Sequence, residues 1–172
     1  MTTFRRWFFI YVGLAGLLSL GLSGCGYELR QAPKYSFSTL FSTIPVTSPF
    51  GVKLRRALEA SDQVEIITDV RELERAQVIF DQIFEVREKV VVGRTATGAI
   101  REFQLRLRYR FRLRTQAGIE LIPDSEIFIT RDISFNETGA LSKEAEEALL
   151  YRDMENDLVS QIQRRLATVR LN

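Results

Sequence analysis

From Phe103 to Arg114 the chain alternates without a break. Phe103, Leu105, Leu107, Tyr109, Phe111 and Leu113 stand at every second position, and Arg106, Arg108, Arg110, Arg112 and Arg114 fill the even positions beyond Gln104. A period of two belongs to an extended strand, whose successive side chains point to opposite faces. Such a strand must bury one face and wet the other, which is the condition of an antiparallel sheet covered on one side only. The expected fold is therefore α+β: a mostly antiparallel, four- to five-stranded sheet with two helices packed on one face.

The rest of the chain supplies the other pieces. Phe37 to Ile44 reads as a short strand with Phe37, Leu40, Phe41 and Ile44 as its apolar surface, and Val64 to Thr68 as a brief β-branched one. Between them, Ser48 and Pro49 mark a helix start, a capping hydroxyl followed by the residue best tolerated at the first helical position. Phe50, Leu54, Ala57 and Leu58 then recur at helical spacing. Gln77 to Val92 alternates, with Val78, Phe80, Phe84, Val86, Val90 and Val92 expected on one face and Asp81, Glu85, Arg87 and Lys89 on the other. Gly93 to Gly98 reads as a hairpin loop and Gln116 to Gly118 as the next turn. Ile127, Ile129, Ile133 and Phe135 continue the apolar face on a third long strand, with Pro123 near its start, and Asn136 to Gly139 ends the sheet. Ser142 is expected to cap a long final helix. Its apolar stripe is Leu150, Met154, Leu158, Ile162, Leu166 and Val169, and its early glutamates and late arginines suit the helix dipole.

The arginine ladder is the candidate binding site. Five guanidinium groups on one strand face stand about 6.6 Å apart and repel one another unless something anionic meets them. Cross-strand pairing is one answer. A hairpin turning at Ala96 and Thr97 sets Arg108 against Glu85 and Arg112 against Asp81, with Arg106 against Arg87. A turn at Gly118 sets Glu126 against Arg110 and Asp132 against Gln104, diagonal to Arg106. Exposed pairs of this kind contribute under about 1 kcal/mol each. The other answer is an anionic ligand or partner held by Arg106, Arg108, Arg110, Arg112 and Arg114, because guanidinium forks match phosphate and carboxylate. Phosphorylated amphiphiles and an acidic protein wall both fit.

The amino terminus narrows the compartment. Arg5 and Arg6 open an apolar run, Trp7 to Leu22, that stops at Ser23-Gly24-Cys25-Gly26. The run is short of the roughly 20 residues a spanning helix needs and has the layout of an export signal. Leu22-Ser23-Gly24-Cys25 resembles the lipobox of bacterial lipoproteins, in which the cysteine is lipidated and the signal removed. Cys25 is the only cysteine of the chain, and a lone thiol in an oxidising compartment has no intramolecular partner. The alternative is an ordinary secretory signal followed by a free or disulfide-bonded cysteine. The expected organisation is a signal peptide at residues 1–24 and one domain at 25–172, anchored to the membrane through Cys25. Gly26 stands where an aspartate would retain an enteric-type lipoprotein in the inner membrane, so outer-membrane delivery is implied by analogy.

Composition then removes function classes. Two of the 24 basic residues lie in the signal and none of the 22 acids does, which leaves a balanced mature chain with no global field toward nucleic acid. There is no histidine. Ser-His-Asp and Cys-His catalysis and nearly every transition-metal site are thereby lost. No enzyme, no catalytic residue, no metal and no cofactor is expected, and no nucleic-acid partner.

The order of elements, with the start Cys25-Gly26-Tyr27-Glu28-Leu29-Arg30, the Lys53-to-Leu58 helix and the closing Arg152, Met154 and Arg164-Arg165-Leu166, resembles the LptE family of LPS-assembly lipoproteins. The resemblance covers nearly the whole mature chain. It implies two helices against a mostly antiparallel sheet, in a periplasm-facing outer-membrane lipoprotein that plugs and helps assemble the LptD β-barrel. It also implies lipopolysaccharide as a ligand on its way to the outer leaflet. The alternative function is a structural envelope lipoprotein that stabilises another membrane assembly without a lipid ligand.

Overall fold

The structure, a computed structural model, describes residues 33–135 and 140–171. The export signal, Cys25, the segment through Arg30 and the stretch 136–139 lie outside the described residues.

Five strands form one sheet in the order β2-β1-β3-β4-β5: β1 Thr39–Ser42, β2 Glu65–Ile67, β3 Val78–Arg94, β4 Ile100–Thr115 and β5 Glu120–Ser134. Two long antiparallel ladders, β3 with β4 and β4 with β5, make most of it. Short β1 lies parallel to both β2 and β3. Parallel strands need cover on both faces, and here they have it. Leu40 points into the main core beneath the helices, whereas Phe41, Ile67, Ile79 and Ala76 form a second small cluster closed by Leu73 of a 3₁₀ segment, Val70–Arg75.

The helices are α1, Pro49–Glu59, and α2, Ala140–Thr168. The Ser48 side chain accepts the Gly51 N–H, and Pro49 opens α1 without losing a helical hydrogen bond, as the sequence indicates. Ser142 is different: α2 starts at Ala140, which places Ser142 inside the first turn instead of before it. Both helices cover the same sheet face. Phe50 packs on Tyr109 with ring centroids 4.7 Å apart, Phe80 stacks on Phe111 at 5.1 Å, and Met154, Leu158, Ile162 and Leu166 close over Leu105, Leu107 and Leu113. Gly98 and Gly118 turn the two hairpins at φ +87° and +83°, a region that side chains resist.

The alternation expected along β3 fails first at Ile83 and again at Val92, which is left unpaired between Val91 and Gly93 and is 47% exposed. Val78 and Phe80 face the helices, but Ile83 is an extra residue between Gln82, opposite Phe111, and Phe84, opposite Arg110. A bulge of one residue flips every side chain beyond it. Phe84, Val86 and Val90 therefore stand on the arginine face, opposite Arg110, Arg108 and Gln104, while Glu85, Arg87 and Lys89 come to the helix side, opposite Tyr109, Leu107 and Leu105.

Candidate functional site

Alternation along β4 sends Leu105 to Leu113 into the core and the five arginines to the other face, which no helix among the described residues covers. One end of that face is closed by the Phe41 cluster, since Ile79 stands opposite Arg114. The remainder is a ribbon of three strands. Phe84, Val86 and Glu88 of β3 flank Arg110, Arg108 and Arg106 on one side, and Glu126, Phe128 and Thr130 of β5 flank them on the other.

The ladder is braced by carboxylates. Arg108 donates from Nε and Nη2 to both oxygens of Glu126, at 2.7 and 3.2 Å, and Arg110 donates from Nη2 to Asp124 at 2.6 Å. Arg112 and Arg114 each donate from Nε to one oxygen of Asp81 at 2.8 Å. Arg106 binds a neutral group, the Gln104 amide oxygen at 2.9 Å, while the other end of that amide donates to Asp132. The register expected for Arg112 with Asp81, Arg110 with Glu126 and Gln104 with Asp132 is therefore present. The Arg110 guanidinium nevertheless bonds Asp124, and Glu126 bonds Arg108. Arg108 does not meet Glu85, nor Arg106 Arg87, because the Ile83 bulge sets Val86 and Glu88 opposite them.

Electrostatics follow the pairing. Burial alone would raise the Asp81 carboxyl, but hydrogen bonds from Arg114 and Arg112 outweigh it and hold it below the usual aspartate value. The Arg108 hydrogen bond lowers Glu126 in the same way. Six acids, Asp81, Glu88, Glu120, Asp124, Glu126 and Asp132, share the face with the five arginines, so it carries no net positive field. Apolar surface lies among the charges. Arg108 and Arg110 stack near the Phe84 ring, at 5.6 and 6.0 Å, and Phe128 beside them is 55% exposed.

One constellation escaped the sequence reading. Glu155 of α2, only 4% exposed, pairs with Lys53 of α1 and with Arg87 of β3 at 2.7 Å, and Arg87 also holds Glu85 at 2.8 Å. The signal was available: Glu155 sits beside Met154 within the buried arc of α2, where an unpaired carboxylate is not tolerated. Its cationic partner on β3 was hidden by the flip at Ile83.

Solved structures share this arrangement. Uncharacterized lipoprotein B from Nitrosomonas europaea, a solution NMR structure, superposes with a TM-score of 0.70 at 30% identity, covering 83% of this chain and 91% of that one. The rare lipoprotein B crystal structure from Shewanella oneidensis (TM-score 0.62, 20% identity, 76% and 92% covered) and a minor lipoprotein from Acinetobacter baumannii (0.62, 14%, 80% and 97%) show the same fold. The class is thus the one-sheet α+β domain found in bacterial lipoproteins. The chain belongs to the LptE family, described as lipopolysaccharide-assembly, whose model matches residues 37–166. A curated relative, the LPS-assembly lipoprotein LptE of Pectobacterium atrosepticum, is 26% identical over 176 residues, 96% of this chain and 87% of its own length.

Proposed function

We propose that the chain is a non-enzymatic, lipid-anchored subunit of lipopolysaccharide assembly at the outer membrane. The observation that carries this reading is the family match across the whole sheet and both helices. Residues 1–24 serve as the export signal, Cys25 takes the lipid, and the domain faces the periplasm. Two or three acyl chains, at roughly 0.8 kcal/mol per buried methylene, hold it there without help from the domain. The folded domain enters the LptD-type barrel as a plug, supports its assembly, and contacts lipopolysaccharide in transit.

The arginine face is the contact surface in this reading. Among the described residues Arg112 and Arg114 bond Asp81 through their Nε groups alone, which leaves their terminal nitrogens for an incoming phosphate or carboxylate. Purification of the full-length protein from its native envelope in mild detergent, with mass spectrometry of partners and of the amino-terminal peptide, tests the whole proposal. A stoichiometric outer-membrane barrel and an acylated Cys25 are expected. An acylated Cys25 without a barrel overturns the translocon role. Charge reversal, Arg108→Glu with Arg110→Glu, that leaves lipopolysaccharide binding intact removes the ladder as the phosphate site.

A second reading, a structural lipoprotein that braces another envelope assembly without a lipid ligand, is favoured by one observation. The ladder's charges are matched by its own acids, as suits a protein interface better than a phosphate site. Co-purification of a different membrane assembly, with no bound lipopolysaccharide, is its signature.

A further inference from the structure

Helix α1 is only 11 residues long and covers β3 near Phe80, the end that lies against β1. Beyond the Ile83 bulge the helix-side positions of β3 are Glu85, Arg87 and Lys89, and over that stretch the strand is left to the flank of α2. Between them runs a solvent-open groove of about 560 Å³, walled by Arg87 and Lys89 on the strand and by Glu144, Glu147, Tyr151 and Arg152 on the helix, with Glu155 at its inner end. That volume lies in the range of ligand sites, about 300–1,000 Å³.

Its chemistry is selective by subtraction. Arg87, Lys89 and Arg152 are balanced by Glu144, Glu147 and Glu155, so a phosphate or a polyamine meets as much repulsion as attraction. What the groove does offer is hydrogen-bonding capacity on groups already held in place. Lys89 is fixed by Glu147 at 2.6 Å, Arg87 by Glu155 at 2.7 Å, and Tyr151 by its hydroxyl, which donates to the Glu88 carbonyl at 2.9 Å. Glu144 and Arg152, about 12 Å apart along α2 at helical rise, make no ion pair among the described residues. A carboxylate accepts from, and a guanidinium donates to, two adjacent oxygens at once, the geometry that vicinal hydroxyls present.

We propose that this groove binds a saccharide segment of no net charge, with Glu144 and Arg152 gripping hydroxyl pairs beside the Lys89–Glu147 pair. The site is separate from the arginine face. It extends the lipopolysaccharide reading from the phosphates to the sugars, and its test does not need the barrel.

The experiment titrates the full-length lipoprotein, in a detergent without a sugar headgroup, with a neutral oligosaccharide of the lipopolysaccharide core, freed of acyl chains, phosphates and carboxylate-bearing sugars. Inorganic phosphate is the parallel probe. The wild-type protein should bind the oligosaccharide and ignore phosphate, with an affinity that stays within about twofold as salt is raised. Glu144→Ala with Arg152→Ala should weaken binding about tenfold or more at unchanged thermal stability, since both side chains lie on the groove wall and make no ion pair among the described residues. Ala148→Trp, which fills the groove from the helix side, should abolish it, while Arg108→Ala with Arg110→Ala should leave it unchanged. Wild-type protein that does not take up the oligosaccharide, groove variants that bind as well as wild type, or a steep loss with salt each overturn the proposal. A barrel that co-purifies while the titration is flat would remove the groove and keep the assembly role; the reverse result would keep the groove and remove the barrel.

Discussion

Deleting one residue from the middle of a 17-residue strand ordinarily turns half of its side chains to the wrong face, yet deletion of Ile83 should be tolerated. Gln82 already pairs with Phe111 and Phe84 with Arg110, so removing the residue between them restores a regular ladder without moving a side chain across the sheet. Ile83 is 42% exposed, and full burial of an isoleucine is worth about 1.5–3 kcal/mol, which makes the lost burial about 1–2 kcal/mol. The regained ladder hydrogen bonding offsets part of that. Deletion of Arg108 is the contrast, because β4 holds no spare residue on its β3 side at that point. Either Tyr109, Phe111 and Leu113 or Leu105 and Leu107, all at most 1% exposed, must turn outward, at about 3–9 kcal/mol for two or three side chains. Typical domain stability is about 5–15 kcal/mol, so that chain should be unfolded or close to it. Thermal and urea unfolding followed by circular dichroism decide the matter. The Ile83 deletion should lower Tm by no more than about 8 °C, and the Arg108 deletion should show no cooperative transition. An Ile83 deletion that fails to fold, or an Arg108 deletion as stable as wild type, refutes the bulge as the device that sets the two faces.

Glu155→Gln should cost about 1.5–3 kcal/mol in urea denaturation, since it takes the counter-charge from Lys53 and leaves Arg87 with Glu85 alone; adding Lys53→Met should recover part of the loss. Gly51→Ala should destabilise by about 1–3 kcal/mol, because a Cβ there meets Ile44 Cγ2 at 2.7 Å and the Pro45 carbonyl at 3.2 Å where α1 crosses onto β1. The Asp81 carboxyl is lowered in the folded state, so its stabilisation is complete above the unfolded value of about 3.9 and is lost as pH falls through the folded one. Wild type should accordingly exceed Asp81→Asn in stability at neutral pH, with the gap closing in acid; a gap that stays constant down to pH about 2 contradicts the pairing with Arg112 and Arg114.

Much of this fold was legible because its strongest signals are local. The period of β4 placed Leu105 to Leu113 in the core and the arginines outside it, and Ser48-Pro49 placed the start of α1. The expected register of Asp81 with Arg112 and of Glu126 with Arg110 is reached by compensation: each hairpin turns slightly off the expected centre, and the irregularities at Ile83 and around Leu113 restore the count before those pairs. Part of what was not legible depended on the unpaired Ile83. Apolar Phe84, Val86 and Val90 continue the pattern of Val78 and Phe80 on paper, and only the partner strand shows that Ile83 breaks the count. The parallel seat of β1 was likewise hidden, since four residues carry no period, although the consecutive burial of Val78, Ile79 and Phe80 is what a strand covered on both faces requires. The choice between a paired and a liganded ladder rested on side-chain reach, which spacing alone does not contain.

The bulge also explains why charged residues could be placed under a helix at all. Along β3 the helix layer is deep only as far as α1 extends, and beyond that point an apolar strand face would stand beside an open groove. Inserting Ile83 there exchanges the faces where the cover ends. Arg87 and Lys89 then meet Glu155 and Glu147 of α2, and the displaced Phe84 and Val86 come to lie among the arginines, where guanidinium stacking shields the Phe84 ring. A single extra residue thus creates two surfaces of opposite design: a polar groove with no net charge on the helix side, and a charge-matched face with apolar inlay on the other. The first suits a hydroxyl-rich chain and the second a large partner. Loss of the groove's ligand without loss of the partner, or the reverse, is the behaviour expected of two such surfaces separated by the thickness of one sheet.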